Sequence, residues 1–227
     1  MFVGKEIDDN MIDFFRNKVF VNKRRTLIFC LIFSLFLLCV FFMYDDGSIV
    51  FLKETNAIEI MREYEILNNT DTENGKEYPE VDIAGNKFIY TDINEILSVF
   101  NNNGDAVIFF SYASCLYCRT AIQVLHDTAK DTEIEKIYYL DVEDKVNGYD
   151  KLLNVLDSRF KTEENGEEVI YSPLVLFIVD GKVVSHHKGT LFSQDTPYNE
   201  LDQSQIDGLS EIYRYGIRDV LNGMKNN

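Results

Sequence analysis

The stretch "DAVIFFSYASCLYCRTAIQVLHD", residues 105–127, decides how this chain is read. Its first half is a continuous apolar run, the pattern of a strand buried on both faces. Its second half, continued to Ala129, places Ala121, Ile122, Leu125 and Ala129 on one side of a helix. Between them stand Cys115 and Cys118, two residues apart, where the strand gives way to the helix. Two thiols at that spacing are a redox couple, half of a metal site, or two small apolar residues.

Outward from this stretch the pattern alternates. "NKFIYT" (86–91) reads as a short strand. "DINEILSVFNNNG" is a helix opened by Asp92 and closed at Gly104. "KIYYLDV" (136–142) is another strand, "GYDKLLNVLDSRF" (148–160) a helix, and "KTEENGEE" (161–168) a charged loop. "PLVLFIV" and "KVVSHHK", separated by Asp180-Gly181, form a hairpin with a strong turn signal. "LDQSQIDGLSEIYRYGIRDVLNGM" (201–224) is the last helix. Strand, helix, strand, helix, hairpin and helix together imply an α/β domain, a mixed central sheet with helices on both faces, over residues 81–227.

The N-terminal part has a different composition. Leu27–Tyr44, "LIFCLIFSLFLLCVFFMY", is an uncharged run of 18 residues, long enough to cross about 30 Å of hydrocarbon as a helix. Arg16, Lys18, Lys23, Arg24 and Arg25 precede it, and Asp45 and Asp46 follow, which orients the N-terminus to the cytoplasm. The run lacks the small residues of a cleavage site, and Cys39 lacks the small residue of a lipoprotein signal. The expectation is a single-pass protein of the cell membrane. It comprises a cytoplasmic head (1–25), an uncleaved transmembrane signal anchor (26–44), an extracytoplasmic stalk or linker (45–80) and the folded domain outside. In the head, Met11, Phe14, Phe15, Val19 and Phe20 give a weak signal for a surface-lying helix. In the stalk, Ile58, Met61, Tyr64 and Leu67 recur at three-residue steps, as in a helix, before the polar "NNTDTENGKEYPE". Asn68-Asn69-Thr70 has the form of a glycosylation sequon.

Charge divides by side. Residues 1–25 carry six basic and four acidic residues, and residues 45–227 carry 16 and 34. A net charge of −18 on the outer part excludes a nucleic-acid footprint. Cys30 and Cys39 lie within the apolar run, so Cys115 and Cys118 are the outer domain's only thiols. A bridge that closes so short a loop restrains the unfolded chain little, which favours chemistry over stapling. At a helix start the unpaired N–H groups and the helix dipole stabilise a thiolate at Cys115. Cys118, one turn further on, is placed to resolve a mixed disulfide there. A zinc site needs four ligands. The remaining donors are His126 and the pair His186-His187, whose side chains point to opposite faces of a strand. No cofactor or metal is expected.

With these residues in place, the chain from about Val81 onward resembles the thioredoxin superfamily. The resemblance rests on the strand into Cys115-Leu116-Tyr117-Cys118, on Ser172-Pro173 opening a strand, on Gly181 at the hairpin turn and on Gly189 after the next strand. With its apparent anchor, the chain is also similar to bacterial membrane-tethered thioredoxin-like proteins, among them the bacteriocin-transport accessory proteins. The resemblance implies a cis bond before Pro173, Cys115 and Cys118 as catalytic residues, and Ser172 and Pro173 as the residues that hold an extended substrate segment. It also implies a cysteine-containing protein or peptide as substrate and a redox partner in the membrane. Four positions depart from the pattern. Ser114 stands where the family has Trp, Leu116-Tyr117 where it has Gly-Pro, and Phe109 where it has a buried acid that assists the second cysteine. The functional expectation is a membrane-anchored, extracytoplasmic thiol–disulfide oxidoreductase. The alternative is a non-catalytic accessory module that binds a secreted peptide or a transporter.

Overall fold

The computed structural model describes residues 55–191 and 193–226. The expected head and membrane span lie outside the described residues, and no helix among those described is long and apolar enough to cross a membrane. In chain order the elements begin with a helix at 55–65 (α1), β1 (Phe88–Tyr90), α2 (Ile93–Asn101) and β2 (Ala106–Ser111). Next come α3 (Leu116–Lys130), β3 (Ile137–Asp141) and α4 (Tyr149–Val155). After them follow β4 (Lys161–Glu164), β5 (Glu167–Ile170), β6 (Leu174–Val179), β7 (Lys182–Lys188) and α5 (Gln203–Asn226).

Strand β2 is buried along its whole length and organises the sheet, whose order is β1-β3-β2-β6-β7. β1 and β3 run parallel to it, while β6 and β7 are paired antiparallel. Successive side chains of a strand point to opposite faces. Val107 and Phe109 therefore enter one apolar cluster, and Ala106, Ile108 and Phe110 the other. β6 divides the same way, with Val175 and Phe177 on the first side and Leu174, Leu176 and Ile178 on the second. The first cluster is closed by α1, α3 and α5 through Ile60, Tyr64, Ile122, Leu125, Leu209, Tyr213 and Ile217. The second is closed by α2 and α4 through Ile93, Ile96, Leu152 and Leu153. This is the mixed sheet with helices on both faces that the alternation implied.

The local signals hold in detail at several places. Asp92 caps α2, its carboxylate accepting the N–H of Glu95 at 2.8 Å. Asp180 and Gly181 both have positive φ in the β6–β7 turn, the backbone that an Asp-Gly hairpin requires.

One expectation is corrected. "KTEENGEE" is no loop. It forms most of an antiparallel hairpin, β4 with β5, turned at Asn165-Gly166. Asn-Gly is a strong hairpin signal, and the surrounding glutamates obscured it. Of the expected stalk (45–80), the part described, from residue 55 onward, packs on the domain. Ile60 and Tyr64, four residues apart on one helical face, are fully buried in the first cluster, while Ile58 is 44% exposed. The three-residue steps mark the helix, and Ile60 and Tyr64 define its buried face. Burying two such side chains contributes about 3–6 kcal/mol, enough to dock a short helix.

Candidate functional site

The chain leaves β2 at Ser111, turns through Tyr112-Ala113-Ser114 and enters α3 at Cys115. The turn is closed by the N–H of Cys115 donating to the carbonyl of Tyr112 at 3.3 Å. Cys115 is the N-cap of α3, with extended backbone, and its Sγ accepts the N–H of Cys118 at 3.2 Å. The sulfur thus occupies the place of a capping oxygen, where free N–H groups and the helix dipole favour negative charge. Cys118 lies inside the first turn and is fully buried, whereas Cys115 and its neighbours are partly exposed. The two sulfurs are at disulfide distance, with Cα atoms 5.1 Å apart, a normal separation for a bridge.

Ser172 and Pro173 precede β6, and the bond between them is cis. Because Phe110 is paired with Leu174, continuing the register sets Ser172-Pro173 beside the chain as it leaves β2. The Ser172 hydroxyl is hydrogen-bonded to Tyr112, in the turn before the cysteines, rather than to a thiol. Pro173 is buried, and its carbonyl accepts the N–H of Gly189 at 2.8 Å. The structure therefore brings all four sequence-assigned site residues to one end of the sheet.

Two clefts meet this end. One of about 590 Å³ is lined by Tyr112, Ser114, Glu143, Glu164, Tyr171 and Ser172 among others. Another of about 280 Å³ is lined by Tyr117, Tyr171, Lys188 and Thr190 among others. Tyr171 lines both clefts, and Tyr117, between the cysteines, is exposed. The hairpin β4–β5 supplies Thr162, Glu164 and Val169 to the wall of the larger one.

Charged groups missed at the sequence level surround the turn. Glu143 accepts the hydroxyl of Ser114, next to Cys115, at 2.5 Å. Burial, reinforced by Glu143 and Asp144, raises Asp141 above the ordinary carboxylate value, against the lowering effect of the Glu143 N–H. Arg119, next to Cys118, is fully buried. Phe109 carries no titratable group to the buried side of α3. It packs against Phe88 and Tyr139 at ring distances of 6.0 and 6.1 Å. On the same face of β2, Ser111 shares a hydrogen bond of 2.7 Å with the hydroxyl of Tyr64, which in turn is 3.3 Å from that of Tyr139.

The histidines do not converge. His186 packs edge-on to Phe160 in the second cluster and His187 to Tyr213 in the first, as adjacent strand residues must. Among the described residues no group of three or more His, Cys, Asp or Glu side chains is arranged to hold a metal ion.

The site is a cysteine pair at disulfide distance, at the head of a helix, on a mixed α/β sheet. No protein-family profile matches the chain, and no curated protein matches it.

Proposed function

We propose that the domain is thioredoxin-like and that the protein is a membrane-anchored, extracytoplasmic thiol–disulfide oxidoreductase. The single observation that carries this reading is the asymmetry of the pair. A partly exposed sulfur caps a helix of 15 residues, and a buried one lies one turn behind it. The strand order, the position of the pair after β2, and Ser172-Pro173 at the head of β6 support the fold assignment. The apolar run 26–44, with its basic leading flank, supports the anchor and the orientation.

In the proposed reaction the Cys115 thiolate attacks one sulfur of a substrate disulfide. The substrate S–S bond breaks, a mixed disulfide forms at Cys115, and the second substrate sulfur leaves as a thiolate that takes a proton from water. Cys118 then gives its proton to water and attacks the Cys115 sulfur. The mixed disulfide breaks, the Cys115–Cys118 bond forms, and the first substrate sulfur leaves as a thiolate that takes a proton from water. Two electrons pass to the substrate, and the reverse sequence oxidises a substrate dithiol. The substrate is a cysteine-containing protein or peptide, held along Ser172-Pro173 by strand addition. A thiol–disulfide partner in the membrane returns the pair to its starting state.

Phe109 favours a second reading, a non-catalytic accessory module for a secreted peptide or transporter. With no acid at that position, nothing there accepts the Cys118 proton. One experiment separates the two. In cells, a Cys118→Ala variant is expected to accumulate mixed disulfides with partner proteins, and Cys115→Ala to accumulate none. Full function of the doubly substituted chain, with no trapped partner, overturns the oxidoreductase reading in favour of the module.

A further inference from the structure

Arg119 is the largest fully buried side chain of the described residues, and it directly follows Cys118. Its guanidinium donates from Nε to the carbonyl of Pro79 at 2.6 Å. Nη1 donates to the carbonyls of Tyr64 and Ala113 at 2.9 and 3.2 Å, and Nη2 to Oδ1 of Asn68 at 2.5 Å. The rings of Tyr64 and Tyr78 lie 5.7 and 5.5 Å from its central carbon. All four acceptors are neutral oxygens. None of the described salt bridges includes this arginine.

A buried cation without a carboxylate partner is expensive to keep, and arginine does not escape by losing its proton. Four acceptors and two ring faces solvate the guanidinium, but they cannot cancel its formal charge. The rings beside it belong to phenols, which ionise at higher pH than thiols, so in this neighbourhood Cys115 and Cys118 are the groups that acquire a negative charge first. Ala113, which it touches, lies two residues before Cys115, and Cys118 adjoins it in the chain. In a poorly polarisable interior such a field acts over several ångströms with little screening. It favours a thiolate, and so the reduced pair, over the uncharged disulfide. Glu143, bonded to Ser114, and the half-buried Asp141 act in the opposite sense from the solvent side of the turn.

The arrangement also explains why residues 64–79 are packed onto the domain. Three of the four acceptors come from this segment, and Asn68 is held in turn by Val81 through bonds of 2.8 and 3.0 Å. We propose that Arg119 is the internal counter-charge of the redox pair, a positioning residue that makes the couple more oxidising, and that residues 64–79 belong to the redox site because they hold this charge in place. The proposal rests on the reading of Cys115 and Cys118 as a redox couple.

The test is the equilibrium of the pair with reduced and oxidised glutathione, measured on the full chain in detergent micelles. Arg119→Gln removes the charge, Arg119→Lys keeps it but loses the fork, and Asn68→Asp places a carboxylate on the guanidinium. Arg119→Gln and Asn68→Asp are each expected to shift the equilibrium about tenfold toward the disulfide, about 30 mV for a two-electron couple. Arg119→Lys is expected to stay at the wild-type equilibrium even where its melting temperature falls. If Arg119→Gln does not fold, Asn68→Asp carries the test with the arginine intact. A wild-type equilibrium in the neutralising variants overturns the proposal, as does an equal shift in the Lys and Gln variants. Both outcomes leave the redox reading standing. A wild-type pair that never equilibrates with glutathione removes the redox reading and this proposal with it.

Discussion

The N–H of Cys118 points at the sulfur of Cys115 across 3.2 Å, so the sulfur proposed to react is also the cap of its helix. A substitution separates the structural role from the proposed chemical one. In the reduced protein, Cys115→Ser is expected to keep the cap through its hydroxyl and to remain as stable as the wild type. Cys115→Ala loses the cap and about 1 kcal/mol. Urea denaturation in the presence of excess reductant measures the difference. Equal stability of the two variants would show that the sulfur contributes nothing to the helix start.

Two glycines of α5 are predicted to respond with opposite signs to the same change. A Cβ at Gly216 would lie 2.4 Å from the ring of Phe177, in the middle of the first cluster. The ring has no free space to move into, so Gly216→Ala is expected to destabilise by about 1–3 kcal/mol despite its better helix propensity. A Cβ at Gly208 meets only the end of Leu191, at 3.5 Å. Gly208→Ala is expected to stabilise by about 0.4–1 kcal/mol, because the unfolded chain loses freedom and the helix gains a good former. Paired thermal melts check this. Two changes of the same sign would mean that α5 does not approach β6 as described.

The contrast between these glycines also shows what a sequence can convey. The apolar run of β2, the Asp92 cap, the Asp-Gly turn and the strand-to-helix position of the cysteines are local patterns, and each was legible. Arg119 was not, because a single arginine after a cysteine carries no local sign that three oxygens distant in sequence will help to enclose it. The polar composition of residues 45–80 suggests a stalk, with nothing local to mark residues 55–80 as docked. Their docking depends on two side chains, Ile60 and Tyr64, and on carbonyls that any sequence possesses. Asn68, first met as part of a sequon, spends its side chain on Val81 and Arg119. Glu143 reached the site through a fold-level juxtaposition of β3 with the turn after β2, across 29 positions in the chain. What escaped the sequence reading was thus mostly long-range polar contact. What it recovered was periodicity and turn chemistry.

Acid is expected to weaken the domain through its histidines. His126 is 2% exposed, and its Nε2 has no hydrogen-bond partner among the described residues. Burial, with a further contribution from Lys130, holds it below its ordinary value of 6.5. Burial also lowers His187, against the opposing hydrogen bond to the Thr190 carbonyl. As pH falls through 6.5, the unfolded chain takes up these protons while the folded chain does not, so stability falls with pH. The contribution is complete above 6.5 and is lost progressively below it, toward the depressed folded values. Asp141 and Glu63 are raised by burial and act in the reverse direction, in a window that opens at their ordinary values of 3.8 and 4.5. A His126→Leu variant isolates the histidine effect. Between about pH 7.5 and about pH 5.5 it is expected to lose less stability than the wild type, as read from urea midpoints at each pH. Parallel curves for the two proteins would mean that His126 accepts its proton without unfolding, and that its burial does not govern the acid response.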